Sequence, residues 1–338
     1  MPDAAASTTL ENGGPPVHMS PVPILFIHYG PSAYLRQTLA GARRSNPGKE
    51  VHFLGDEDNR RFCPRGVRFH AMSDYSSGPL MSEFRAVFRP ISGENHRFNK
   101  SGGVDTWLRF VFERWFIFRN FLEAHGIRRF WTFDSDTLVA CDLGLREPRF
   151  AGFDATEQCR GCCLNGLINS IDLVHGYTAA MIRLFQDEAY LTKQHERLKI
   201  HRGLAFNEMD AWQTFRDESR PATCALGTPC EGEVFDDALG IPNGYVPASA
   251  KIRDRIPLKK VLLDQRGAAW AIRETHNEPV RLLTLNLSWM PDYFYRRLSP
   301  VCRPLGPLTF NKDLCHELDL REPLLVRGMR LIRNRAIR

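Results

Sequence analysis

Long hydrophobic runs are missing from this chain. Nowhere do apolar residues approach the roughly 18 in succession that a membrane-crossing helix needs, and Met1 to Pro16 is dominated by Ala, Ser, Thr, Gly and Pro without a hydrophobic signal core. The chain is therefore expected in the cytoplasm. No Gly-x-Gly-x-x-Gly loop follows its first strand and no Walker loop occurs, which counts against a dinucleotide-binding fold and against a phosphate cradle of that kind. No internal repeat is visible. Cysteine is present nine times, an odd number scattered along the chain, which argues against a disulfide scaffold and for a reducing compartment. Cys159, Cys162 and Cys163 have a spacing zinc could use, but no second pair lies at finger-like distance, the nearest candidates being Cys224 and Cys230, so buried thiols are expected.

With 338 residues the chain can bury a substantial core, as one large α/β domain with additions or as two smaller ones. A hydrophobic content of 43% and a charged content of 25% are ordinary for a globular protein. The net charge of +6, carried mostly by arginine, suits an anionic partner such as a nucleoside diphosphate, a membrane surface or nucleic acid. Residues 1–19 read as a disordered lead. From Pro21 the chain reads strand, glycine (Gly30), helix through Tyr34, Leu35, Leu39 and Ala42, strand (Val51 to Leu54) and acidic turn (Gly55 to Asp58), which is a βαβ unit. A third strand is expected around Val67 to His70, then a poorly patterned polar stretch to Gly103. A long helix follows from near Asp105 to His125, striped by Trp107, Phe110, Val111, Phe118, Phe121 and Leu122 and ended by Gly126. Residues 215–260 are loop-rich, and a late strand of alternating character is expected over residues 280–289. A body at 20–260 and a C-terminal extension at 261–338 follow from this pattern.

The stretch Phe130 to Val139 organises the rest. Bulky residues lead into Asp134-Ser135-Asp136 and apolar residues resume at once, the pattern of a buried central strand whose tip carries two carboxylates. On a strand, residues two apart share a side, so Asp134 and Asp136 could reach one hard cation; the plain alternative is a solvated turn. Arg114 falls on or beside the apolar stripe of the long helix and is expected to be partly buried and facing an anion, or else to snorkel. Arg109 lies nearer that helix's start, at the end where a right-handed crossover meets the strand tips. Asn165-Gly166 interrupts a strand, which signals either a bulge or close approach of a ligand. Asn207 can cap a helix with Asp210 at its third position; a carboxylate there, Asp210 or Glu208, is also kept ionised for use as a base or to steady developing positive charge. The tail 324–338 carries Arg327, Arg330, Arg333, Arg335 and Arg338 without an acid, and reads as a solvated basic terminus or a short helix lying on anionic lipid.

In this order, His28-Tyr29-Gly30, Leu54-Gly55-Asp56, Glu113-Arg114-Trp115-Phe116, Phe133-Asp134-Ser135-Asp136, Asn165-Gly166 and Asn207-Glu208-Met209-Asp210 resemble a nucleotide-sugar glycosyltransferase of the GT-A fold, over residues 21 to about 215. The resemblance implies a Rossmann-like, mostly parallel central sheet flanked by helices, with the C-terminal extension completing the donor site. It implies that His28, Tyr29 and the Asp56 turn hold base and ribose, that Arg109, Arg114 and Ser135 belong to the donor nucleotide and sugar site, and that Asn165 and Gly166 face the donor sugar. Asp134 and Asp136 are implied to bind Mn²⁺ or Mg²⁺, with Asn286 standing where many relatives use a histidine. Asp210, then Glu208, is the expected catalytic carboxylate. The expected partners are a nucleoside diphosphate sugar, UDP-linked by resemblance only, and a glycan or glycolipid acceptor, with peripheral membrane contact through 324–338. No nucleic acid is expected, since no stacking platform or recognition helix accompanies the basic tail.

Two rival readings remain. A phosphohydrolase of the haloacid-dehalogenase type also ends a strand with Asp-x-Asp, but its pattern is Asp-x-Asp-x-Thr and Thr137 follows Asp136 directly. A non-catalytic carbohydrate-binding or scaffold protein on the same fold gains from the missing late histidine.

Overall fold

The computed structural model describes residues 22–99, 103–249, 256–306 and 308–320. The expected lead at 1–19 and basic tail at 324–338 lie outside them. In chain order the regular elements are β1 (Ile24–His28), α1 (Leu35–Ser45), β2 (Val51–Gly55), β3 (Arg68–Ala71), α2 (Pro79–Val87), α3 (Val104–His125), β4 (Phe130–Thr132), β5 (Thr137–Val139), β6 (Ala155–Gln158), β7 (Cys163–Ile168), α4 (Ile171–Gln186), α5 (Glu188–Ile200), α6 (Glu208–Ser219), β8 (Thr223–Ala225), β9 (Glu233–Phe235), β10 (Leu262–Asp264), β11 (Ala269–Arg273), β12 (Glu278–Asn286), α7 (Asp292–Leu298) and β13 (Cys315–Glu317).

The molecule is α/β with two mixed sheets. The first runs β3-β2-β1-β4-β7-β6-β8. Its β3-β2-β1-β4 part is parallel, as a βαβ beginning requires, β7 runs against both β4 and β6, and β8 is parallel to β6. Side chains alternate across β1. Leu25 and Ile27 enter a core shared with α2, α3, α4 and α6, while Ile24 and Phe26 enter one shared with Leu35, Leu39 and Ala42 of α1. Both faces are thus covered, which is why β1 and β2 read as unbroken hydrophobic runs.

The second sheet runs β13-β10-β11-β12-β5, with β9 also paired to β12. Arg281 of β12 pairs with Trp270 of β11 and with Glu233 of β9, and Thr284 pairs with Val139 of β5 and Phe235 of β9. Along β12, therefore, β11 and then β5 occupy one edge and β9 the other. This sheet draws strands from both sides of residue 261. Its outer core holds Leu282, Leu285 and Leu287 with Phe294, Tyr295 and Leu298 of α7, whereas Leu283 turns toward Trp131 and Phe133 between the sheets.

Three expectations about elements need correction. Residues 130–139 are not one strand, because β4 belongs to the first sheet and β5 to the second. The stretch 71–103 contains α2, started by Pro79 after Gly78 (φ +116°), with Met81 and Phe84 fully buried; two such positions give too short a period to read, and packing on α3 and α4 supplies the stability. The late strand is buried from Val280 to Asn286 rather than alternating, since layers cover both of its faces. Helix α3 ends at Gly126 in the left-handed conformation (φ +63°), whose N–H caps the Glu123 and Leu122 carbonyls.

Candidate functional site

The Asp134-Ser135-Asp136 turn carries the chain from one sheet to the other, past the C-terminal end of β1. Thr137 N–H closes it on the Asp134 carbonyl at 2.9 Å, and Leu287 N–H donates to the Asp136 carbonyl at 3.0 Å. Ser135 Oγ is hydrogen-bonded to His28 Nδ1 at 2.8 Å, and His28 Nε2 to Ser32 Oγ at 2.9 Å. Burial pulls the His28 pKa down to about 4, so the ring is neutral at pH 7 and bridges the two hydroxyls with one donor and one acceptor nitrogen. Tyr34 meets this ring edge-on and stacks on Tyr295 at 4.5 Å, fastening the turn to α7.

Arg114 joins the turn to α6. Its Nη1 donates to Asp134 Oδ1 at 2.8 Å and its Nη2 to Glu208 Oε1 at 2.9 Å. The expected search for an anion has found two. Burial raises the Glu208 carboxyl to about pH 7 against the pull of Arg114, and Tyr177 Oη, itself buried, donates to the Glu208 carbonyl. Asp136 is raised to about 7 by burial and then by the Asp134 charge, and its Oδ1 is sealed from solvent without a hydrogen-bond partner. An orphaned carboxylate oxygen beside a second carboxylate fits a hard cation. Among the described residues no group of three His, Cys, Asp or Glu side chains converges on a metal position. Asp134 and Asp136 together fit a Mg²⁺- or Mn²⁺-type ion, for which one or two carboxylates suffice when water completes the shell. Asn286 does not join this set: its Oδ1 accepts Ser288 N–H at 2.9 Å and Ser288 Oγ–H at 2.7 Å. The side-chain oxygen offered in place of a histidine is already engaged.

The remaining expected residues divide. Tyr29 is 47% exposed with its ring 5.5 Å from that of Phe110, and Asp56 Oδ2 accepts the Gly30 N–H at 2.7 Å, so the ends of β1 and β2 form one open edge. Arg109 is exposed near the start of α3, with Glu113 at 3.9 Å. Asn165 and Gly166 do not face open space. Asn165 Nδ2 donates to Gln158 Oε1 at 2.7 Å, and a Cβ on Gly166 would stand 2.2 Å from Thr156 Oγ1 and 2.4 Å from Leu226 Cδ1. The close approach signalled by that glycine is the protein's own packing. Asp210 completes the capping box with Asn207 and receives both Nη atoms of Arg197, at 2.9 and 2.8 Å. Both of its oxygens are occupied, and it is Glu208 that meets Arg114 and Asp134. Cys159, Cys162 and Cys163 are free thiols.

Ser32, Tyr34, Tyr177, Ser288 and Tyr295 were not expected at the site from the sequence. Only Ser32 and Tyr34 carried a signal, as polar residues directly after the β1 tip. The others reach the site from elements whose neighbours the sequence does not name.

Comparison with protein-family models gives no match, and neither does comparison with curated proteins.

Proposed function

We infer that this chain is a metal-dependent glycosyltransferase of the GT-A type, moving a hexose from a nucleoside diphosphate sugar to a glycan or glycolipid acceptor. One observation carries the reading: Asp136, beside Asp134, keeps a buried carboxylate oxygen without a partner at the end of the first parallel strands, where α/β sheets hold ligands. Asp134 and Asp136 would hold Mn²⁺ or Mg²⁺, which when bound supplies Lewis-acid neutralisation of a diphosphate leaving group. The open edge formed by Tyr29 and the Asp56–Gly30 contact suits a base and ribose, and exposed Arg109 has reach toward phosphate. Glu208 suits the base role better than Asp210. Its pKa of about 7 matches a group that takes a proton from an acceptor hydroxyl near neutral pH, and Arg114 fixes its orientation.

The test is a panel of nucleotide sugars scored by thermal stabilisation with and without Mn²⁺, on wild type and Asp134→Ala. A shift that needs both metal and Asp134 is expected, rising with ligand concentration. A panel flat under all conditions refutes the reading.

A further inference from the structure

Across β12 from Asp136 lies a second set of buried polar side chains, and we propose that it forms a pocket for one sugar ring, carried by the donor or by the acceptor; the source of the ring rests on the glycosyltransferase reading. Because β5 and β9 pair with opposite edges of β12 at Thr284, Asp136 just before β5 and Asp236 just after β9 flank the same strand end. Leu239 N–H donates to the Asn286 carbonyl at 2.9 Å and holds the chain after β9 in place. Two strand spacings put the backbones of β5 and β9 roughly 10 Å apart, within the span of one sugar nucleotide.

The pocket measures about 210 Å³, less than the roughly 300–1,000 Å³ of sites for drug-sized ligands. That suits a monosaccharide. Asp236 is 1% exposed; one of its oxygens takes the Lys259 ammonium and the other, Oδ2, has no partner. Asp237 Oδ1 accepts the Cys159 N–H at 3.0 Å. A Cβ on Gly227 would sit 2.7 Å from Asp237 Oδ2, so glycine keeps the space beside that oxygen clear. The Tyr245 ring lies 4.7 Å from the Lys259 ammonium, and burial with the Asp236 and Asp237 charges pushes its phenol up to about 12, leaving a neutral hydroxyl that donates or accepts.

Arg160 and the 53%-exposed Ile241 also line the pocket. Beside the pocket, Cys159 and Arg160 hold positive φ (53° and 59°), backbone strain of the sort that persists at binding sites. The same loop leads to Cys163, whose Sγ is 3.1 Å from Met209 Sδ next to Glu208. Two carboxylates repel phosphate, and Lys259 is already paired with Asp236. Fixed carboxylates, a phenol and an apolar edge are the groups that read a neutral polyol.

Asp237→Asn removes the charge while keeping an oxygen for Cys159 N–H, and Tyr245→Phe removes one hydroxyl; thermal melts within a few degrees of wild type establish that each folds. Calorimetry with Mn²⁺ measures UDP, UDP-glucose, UDP-galactose and UDP-N-acetylglucosamine, and saturation-transfer NMR measures the three free sugars. Both variants are expected to bind UDP as wild type does. A loss of at least fivefold in the advantage of a UDP-sugar over UDP assigns the pocket to the donor ring. Loss of a free-sugar signal with UDP-sugar binding unchanged assigns it to the acceptor. If UDP binds and both variants match wild type in both readouts, the pocket proposal is overturned while the transferase reading stands. If UDP fails to bind wild type but a free-sugar signal is lost in the variants, the transferase reading fails and the sugar pocket stands. No sugar signal and no UDP-sugar advantage in wild type overturns the pocket.

Discussion

Asp134 and Glu208 share one guanidinium: Arg114 donates to the first at 2.8 Å and to the second at 2.9 Å, linking the turn between the two sheets to the first turn of α6. Three side chains that the sequence scatters over separate elements thus form one buried unit. Asp134 is 37% exposed, against 18% for Arg114 and 10% for Glu208, so the unit opens to solvent at its Asp134 end. A ligand would reach it from there.

Arg114→Ala strands Glu208 as a buried charge. Breaking such a pair costs about 3–5 kcal/mol, and the loss should be largest above pH 7, where Glu208 is ionised, and smaller at pH 5, where it holds its proton. Urea denaturation at the two pH values measures this; an equal loss at both would count against charge stranding. Arg114→Lys should recover only part of the loss, because an ammonium lacks the two-pronged geometry.

Glu208→Gln keeps the shape of the side chain and its contact with Arg114 but cannot take a proton. Transfer should slow by roughly 10²–10⁴-fold, with nucleotide-sugar affinity changed far less. In wild type the rate should climb as pH rises through about 7, the Glu208 value, and that limb should vanish in the variant. Initial rates from pH 5.5 to 8.5 decide it; a retained limb assigns the titration to another group.

Without metal, Asp136 should be a source of instability. Its folded pKa of about 7 lies above the ordinary 3.8, so the folded state keeps a proton that the unfolded state has released, and stability falls as pH rises from about 4 to 7 by roughly 1.4 kcal/mol per unit. His28 works in the opposite sense. Held at about 4 against 6.5, it lends stability at neutral pH that is lost as pH falls from 6.5 toward 4. Asp136→Asn removes only the first effect, so in metal-free buffer it should clearly stabilise the protein at pH 8 and hardly at all at pH 4. It should also abolish any stabilisation by Mn²⁺. Melting temperatures with a chelator and with Mn²⁺ at both pH values test the pair of outcomes.

Gly166→Ala should destabilise the fold by about 3 kcal/mol or more. The backbone there is at φ +93°, where a side chain is strained, and the new methyl would collide with Thr156 and Leu226. Urea denaturation checks this. A fold left at wild-type stability would show that the strand between β4 and β6 has more room than its packing indicates.

What the chain determines by itself is what its local periodicity and end signals express. The double-sided burial of β1 and β2, the length of α3 and its stop at Gly126, and the capping box of Asn207 and Asp210 all depend on residues within a few positions of one another. A pattern of that kind says which residues seek burial, a cap or an opposite charge. It does not say which partner they obtain. The turn at Asp134-Ser135-Asp136 exists because Thr137 to Val139 find their hydrogen bonds on β12 rather than beside β1. Arg114 was legible as a buried cation, but its two carboxylates come from the end of β4 and the start of α6. Asn165-Gly166 was legible as a place of close approach, and the tertiary structure filled it with Thr156 and Leu226. Strand pairing, charge pairing and packing against a glycine are long-range choices among many chemically equivalent partners, and only the folded arrangement of the two sheets makes them.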